Sequence, residues 1–157
     1  MLKKYLWIAF ISMVPLIELR GAIPVSQGFG LPVIPSFIVC ILANMVPVPV
    51  IFFFARKFLE WGQDKKVIGG ICRFFLVKGA KGGQKLEEKA GRTGLFIALL
   101  LFVGIPLPGT GAWTGTLAAS MLNMKFKDAV IAVMLGVLLA GIIMMAGSFG
   151  VFSAIRM

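Results

Sequence analysis

Histidine is absent from the 157 residues, cysteine occurs twice and acidic side chains only six times. Without histidine there is no Ser-His-Asp or Cys-His nucleophilic centre, and the usual zinc ligand sets cannot be assembled. Cys40 sits inside an apolar run and Cys72 in the polar middle of the chain, a spacing that suits neither a metal site nor a disulfide. Neither metal nor cofactor is expected. Paired acid–base chemistry calls for two embedded titratable groups, and the apolar stretches offer a single acid, so an enzyme is not expected either.

What the chain has in excess is apolar: 59% of its residues are hydrophobic, the mean hydropathy is +0.99 and the formal net charge is +10. That combination describes an integral membrane protein. On a soluble chain a basic excess would point to nucleic acid. Here ten of the sixteen Lys and Arg fall between 56 and 92, so the charge reads as membrane topology, and nucleic acid is not an expected partner. Lys3 and Lys4 ahead of the apolar run 5–16 imitate a signal peptide. No small-x-small cleavage site follows, and Glu18 and Arg20 interrupt the chain before the next apolar run, so the segment is expected to be structural.

Pro15-Leu-Ile-Glu18-Leu-Arg20-Gly-Ala-Ile-Pro24 holds the only two charges embedded in apolar sequence with no polar run beside them. A charge at membrane depth costs roughly 2.5–3.5 kcal/mol, so such residues pair or face a wet cavity and mark an ion or substrate path. Pro15 and Pro24 favour an unwound segment, in which residues two apart project to one side; on a helix they would point apart. Unwound backbone at that depth must be buried in protein or line a cavity.

Residues 5–13 would make a helix of about 13 Å, half of a ~30 Å hydrocarbon core. With the breaker-rich stretch 15–32 they are expected to form a re-entrant hairpin. Residues 33–55 are long enough to cross, with a kink at Pro47 and Pro49, and Asn44 is expected to hydrogen-bond backbone freed there. In 56–92, Val67, Ile68, Ile71, Cys72, Phe74 and Phe75 follow helical spacing. Flanked by Trp61 and lysines, that helix is expected to anchor a solvated connector at the headgroups, with lipid sensing or gating as the alternative. The glycines of 79–83 imitate a phosphate loop but lack its Gly-Lys-Ser/Thr ending. Residues 95–103 are a second half-length apolar piece, followed by another breaker-rich stretch from Gly104 to Gly115, and 129–152 is long enough to cross again.

Laying Pro106 on Pro15, an offset of 91, places each half-length piece, break and long span of the second half over its counterpart in the first. If each unit holds one hairpin and one crossing, the second must sit upside down. The expected fold is therefore an all-α integral membrane protein with an inverted-topology repeat of two units, each a re-entrant helical hairpin plus a transmembrane helix. It forms one membrane domain: 1–55 the first unit, 56–92 a basic cytoplasmic amphipathic connector, 93–157 the second unit. Twelve Lys and Arg then lie on one side against Lys3, Lys4 and Arg156 on the other, which puts the connector in the cytoplasm and both termini outside the cell inner membrane. A rival topology carries 5–31 across and leaves the N-terminus inside.

The same residues carry a resemblance. The acid-x-Arg-x-x-x-Pro segment from Glu18 to Pro24, the Asn44–Pro47 span and Gly104-Ile-Pro106-Leu-Pro108-Gly109-Thr110-Gly111-Ala-Trp113-Thr114-Gly115 resemble the small multidrug export protein family of prokaryotic membrane proteins, over nearly the whole chain. That family is in turn distantly similar to the DedA superfamily. The resemblance implies two facing hairpins and a proton-coupled secondary transporter or exporter, with Glu18 the proton-titrating acid and Arg20 its ion-pair partner or a substrate-binding charge. The DedA likeness implies movement of polyprenyl phosphate or phospholipid. DedA-like proteins typically carry an arginine in the second hairpin, where 106–115 has none.

Glu18 and Arg20 also have a bland reading as a buried ion pair pinning hairpin to span. Pro15 and Pro24 would line the first break; Gly104, Pro106, Pro108, Gly109, Thr110, Gly111, Trp113 and Thr114 the second. Gly109, Thr110 and Gly111 either offer backbone amides to an anionic group or let two hairpins pack closely, and Trp113 is expected in packing. Two crossings leave little protein to wall off a cavity, so a homodimer or higher homo-oligomer is expected. The expected partners are membrane lipid, protons and a small-molecule or lipid substrate. An ion channel and a non-transporting scaffold are the remaining alternatives.

Overall fold

In a computed structural model that describes residues 1–15, 17–107 and 109–155, the chain forms helices and, among those residues, no strands. Pro108 and Arg156, both named above, lie outside the described residues. Helix α1 (Leu2–Met13) ends at Val14, whose backbone is extended with ψ 130°, as crowding ahead of Pro15 favours. Helix α2 (Glu18–Gly28) then begins at once. The expectation that Pro24 lines unwound backbone is corrected here: Pro24 sits inside α2. Its ring forfeits only the bond to the carbonyl four residues back, and the helix runs on for another turn. The unwound backbone between α1 and α2 is at Val14.

Helices α3 (Val33–Met45) and α4 (Pro47–Gly62) meet at Val46. Pro47 has no N–H to give, and the Ala43 carbonyl instead accepts the Val46 amide at 3.3 Å. The apolar stretch reaches Gly62, beyond the expected 55, because Arg56, Lys57 and Glu60 occupy turns of the same helix. Helix α5 (Gly69–Gly104) joins the basic connector to the second half-length piece, with an interruption at Gly91 (φ 68°, ψ 178°) that only glycine adopts without strain. Helices α6 (Ala112–Met121) and α7 (Phe126–Ile155) complete the chain.

Val33–Gly62 and Phe126–Ser148 are long and apolar enough to cross a membrane, yet only 33% and 39% of their most apolar windows are buried within the protein. A soluble protein would hide such helices in its core. Here Leu42, Val50, Phe53 and Phe54 face outwards, as side chains that meet lipid do. The core inside is shared by both halves: Ile8, Leu19 and Ile23 are fully buried with Val103, Val133 and Val137.

Side-chain bonds give the direction of the long helices. At one end Lys4 Nζ donates to the Phe29 carbonyl (2.9 Å), and Gln27 approaches Met145 of α7 at 4.0 Å. At the other end Arg56 of α4 donates to Asn123, just past α6, and Arg92 pairs with Asp128 in the first turn of α7 at 2.6 Å. The α3–α4 pair therefore runs from the first end to the second, and α7 returns, rising about 28 Å from Phe126 to Met145. Helices α1 and α2 belong to the first end, α6 and the last part of α5 to the second. The junction of α1 with α2 and the junction of α5 with α6, the two breaks, lie between these ends.

Candidate functional site

The two breaks meet, and what joins them is the embedded acid and base. Glu18 starts α2 with φ 52°, a left-handed conformation that costs a side-chain-bearing residue roughly 1–2 kcal/mol. Its carboxylate serves the other half of the chain. Oε2 accepts the amide of Ala112 and Oε1 that of Trp113, each at 3.0 Å, with Glu18 only 3% exposed. These are the first two amides of α6, donors that a helix leaves without an internal partner. Gly111, the residue before α6, has no side chain to cap them. The carboxylate caps them from the start of α2, and the partial positive charge of the α6 N-terminus favours it there. A Cβ on Gly111 would collide with that carboxylate, and its φ of 155° with ψ −171° is glycine backbone.

Arg20 makes the complementary contact on the opposite lip. Nη2 donates to the carbonyls of Val103 and Ile105 at 3.2 Å each and to Thr110 Oγ1 at 2.8 Å, while Nη1 donates to the Leu107 carbonyl. The carbonyls at the end of α5 lack helical partners and carry the negative end of the dipole. Thr110 Oγ1 lies 2.9 Å from both the Ile105 and Leu107 carbonyls, closing the loop on itself. A planar guanidinium can serve several oxygens at once; an ammonium on a flexible stem cannot hold the same fork. Its buried Nε has no partner. A further tie comes from Trp113, whose indole N–H donates to the carbonyl of Met13 at 3.2 Å.

An acid thus holds the positive lip, at the start of α6, and a base the negative lip, at the end of α5, of the turn that joins these two helices. The expected Glu18–Arg20 ion pair is corrected by this arrangement: among the described residues the ion pairs are Arg56–Glu60 and Arg92–Asp128. Residues two apart diverge once the backbone is helical from Glu18 on, and each charge finds oriented backbone groups in the second break.

The other anticipated residues divide. Thr110, Gly111 and Trp113 are in the clasp. Gly104 packs tightly under Leu139 of α7, Thr114 Oγ1 lies 3.5 Å from the Gly111 carbonyl within its own helix, Pro15 is exposed and Pro106 half-buried. Gly109 has φ 81° with open space around it. The Thr110 amide is spent on the Leu107 carbonyl, and the amides the acid takes belong to Ala112 and Trp113. Ala112, Met13, Val103, Ile105 and Leu107 escaped sequence reasoning, because each contributes a backbone atom that no residue type signals.

Asn44 departs from expectation altogether. It is fully buried, and both its side-chain nitrogen and oxygen lack a hydrogen-bond partner, since the carbonyl freed by Pro47 is taken by Val46. Ser120 Oγ donates to the Phe52 carbonyl at 2.9 Å, and Arg56 reaches Asn123, so α4 and α6 run parallel. Two turns back from Phe52 and Ser120 come Asn44 and Ala112, which places the orphaned amide at the level of the clasp.

A family model described as "Putative small multi-drug export protein" matches residues 18–143, a stretch that opens at Glu18 and contains both lips of the break. No curated protein and no solved structure matches the chain significantly.

Proposed function

The chain belongs to the small multi-drug export protein family, and from that premise we propose that it is a small proton-coupled membrane exporter whose moving part is the clasp of Glu18 and Arg20 on 105–113. The observation that carries this reading is the Glu18 carboxylate on the two leading amides of α6. A proton on Glu18 converts one oxygen from acceptor to donor and cancels the charge that the helix N-terminus attracts. Both bonds weaken, and α6 comes away from the first hairpin. If water reaches Glu18 alternately from the two ends, proton movement and opening of the breaks are linked.

Several features support the finer architecture. The long helices run in opposite directions and the hairpins come from opposite ends, as an inverted repeat of 1–55 and 93–157 around a cytoplasmic connector requires. With two long apolar helices among the described residues, a homodimer is the proposed working unit; a chain that stays monomeric at every concentration in lipid would refute it. Arg20 spends its terminal nitrogens on protein oxygens, which favours a small-molecule cargo over a polyprenyl-phosphate or phospholipid headgroup held at this site.

The test is uptake of a lipophilic dye such as ethidium by proteoliposomes with and without a pH gradient, comparing wild type with Glu18→Gln. Gradient-driven accumulation that Glu18→Gln abolishes while remaining folded and inserted supports coupling. Unchanged transport by Glu18→Gln overturns it. A second reading, a purely structural clasp, is favoured by the fact that every bond of Glu18 and Arg20 given above ends on the protein itself; loss of folded Glu18→Gln protein would select that reading.

A further inference from the structure

We propose that the groove between α4, the start of α5 and α6 binds one anionic membrane lipid, with its acyl chain against Trp113 and its headgroup on Lys65, Lys66 and Arg73. The proposal rests on the membrane reading of the chain and is independent of export.

The groove has a volume of about 440 Å³ and is walled by apolar side chains, among them Ile51, Phe58, Leu59, Cys72, Trp113 and Leu117. That volume lies in the range of ligand-binding cavities, and an apolar lining gives water no partners. A polar hollow of about 320 Å³ adjoins it in sequence, lined by Lys65, Lys66 and Arg73 with Asp64 as the one acid. One turn of chain serves both: Ile68 and Cys72 face the apolar groove, while Gly69, Gly70 and Arg73 line the polar hollow. That turn is close-packed, since a Cβ on Gly62 would meet Cys72 and one on Gly69 would meet the Gln63 carbonyl. An apolar slot beside a cationic hollow is the shape of an anionic amphiphile.

The surroundings choose a lipid over other occupants. Trp61, Val67, Ile71 and Phe74, on the same stretch of chain, are exposed, and Lys65 Nζ stands 4.6 Å above the Trp61 ring. Exposed apolar side chains interleaved with lysines belong at headgroup level, where cations attract anionic lipid. Free phosphate would satisfy the cations and leave the apolar groove empty. A second copy of the chain would bring its own connector, ten cations against four acids, towards a cationic surface. At its inner end the groove touches the clasp, because Trp113 lines it while its amide is held by Glu18 and its indole by Met13. A lipid in the slot therefore packs against the residue on which α6 begins.

The experiment uses the full chain with Trp7→Phe and Trp61→Phe, leaving Trp113 the single tryptophan, in phosphatidylcholine vesicles. Bromine on the acyl chains quenches tryptophan on contact, and brominated phosphatidylglycerol is compared with brominated phosphatidylcholine at equal mole fraction. Flotation with the vesicles is checked first; a chain that does not float sinks the membrane reading itself. For a chain that floats, stronger quenching by the anionic lipid is expected, falling about fivefold in preference for each cation removed in Lys66→Gln and Arg73→Gln. Leu117→Phe, which fills the groove, is expected to relieve quenching with the cations intact. Equal quenching by both lipids overturns the proposal, as does quenching by neither, which would mean that protein covers the groove.

Discussion

Oε1 of Glu18 lies 3.0 Å from the backbone nitrogen of Trp113, although 95 positions separate them in the chain. A helix cap is ordinarily supplied by the residue just ahead of the helix. Here it comes from the first turn of another helix, so the start of α6 and the start of α2 are defined by each other, and the conformation of either break depends on both.

Replacing Glu18 separates charge, hydrogen bonding and backbone strain. Glu18→Ala removes both acceptors for buried amides and should cost roughly 1.5–3 kcal/mol in thermal unfolding in detergent. Glu18→Gln keeps one carbonyl oxygen and should lose about half as much. Glu18→Gly loses the same bonds as Glu18→Ala but fits φ 52° without strain, so it should be the more stable of the two by about 1 kcal/mol. Equal stability of the alanine and glycine variants would mean that the left-handed turn relaxes once the carboxylate is gone.

Arg20→Lys is the sharper test of the opposite lip than a neutral substitution. A lysine keeps the charge but cannot reach the Val103, Ile105 and Leu107 carbonyls and Thr110 together, as the guanidinium does. It should lower the unfolding temperature nearly as far as Arg20→Gln. If lysine restores wild-type stability, charge alone matters at this lip and the fork geometry is incidental.

Two glycines in one break should respond differently. Gly109→Ala meets open space and pays only for φ 81°, about 1–2 kcal/mol. Gly111→Ala pays for its backbone and also drives a methyl group into the Glu18 carboxylate, so it should be worse by a clear margin. Combined with Glu18→Ala it should cost less than the sum of the single changes, because the collision has been removed. Strict additivity in that double-mutant cycle would mean that the two residues are not in contact.

The sequence exposes the outline of this site and conceals its wiring. Glu18 and Arg20 stand out because charge amid apolar residues is costly, and Gly109 and Gly111 stand out as residues that permit unusual backbone. Half-length helices, breaks and long spans are legible from the lengths of apolar runs. What the acid and base hold is not legible, because the amides of Ala112 and Trp113 and the carbonyls of 103–107 exist at every position and become available only where a helix stops. Pro24 misleads for a related reason: proline removes one bond, and packing of Leu19, Ala22 and Ile23 in the core keeps α2 helical through it. The 56–62 stretch reads as connector by its charge, yet its helix continues unbroken from Pro47, with Arg56 and Glu60 bonded one turn apart at 2.9 Å.

Asn44 yields a prediction of the opposite sign from the rest. A buried amide with neither nitrogen nor oxygen bonded carries a desolvation cost of about 1–3 kcal/mol that nothing in this conformation repays. Leucine has a similar volume and no polar atoms, so Asn44→Leu should raise the unfolding temperature, by roughly 2–4 °C for each kcal/mol recovered. Most substitutions of fully buried residues do the reverse. If the stabilised variant also transports less, the amide has a partner in the open conformation, and its cost in the closed one is what brings the two within reach of each other. A lowered unfolding temperature would instead place a bound water on Asn44, at the level of the clasp.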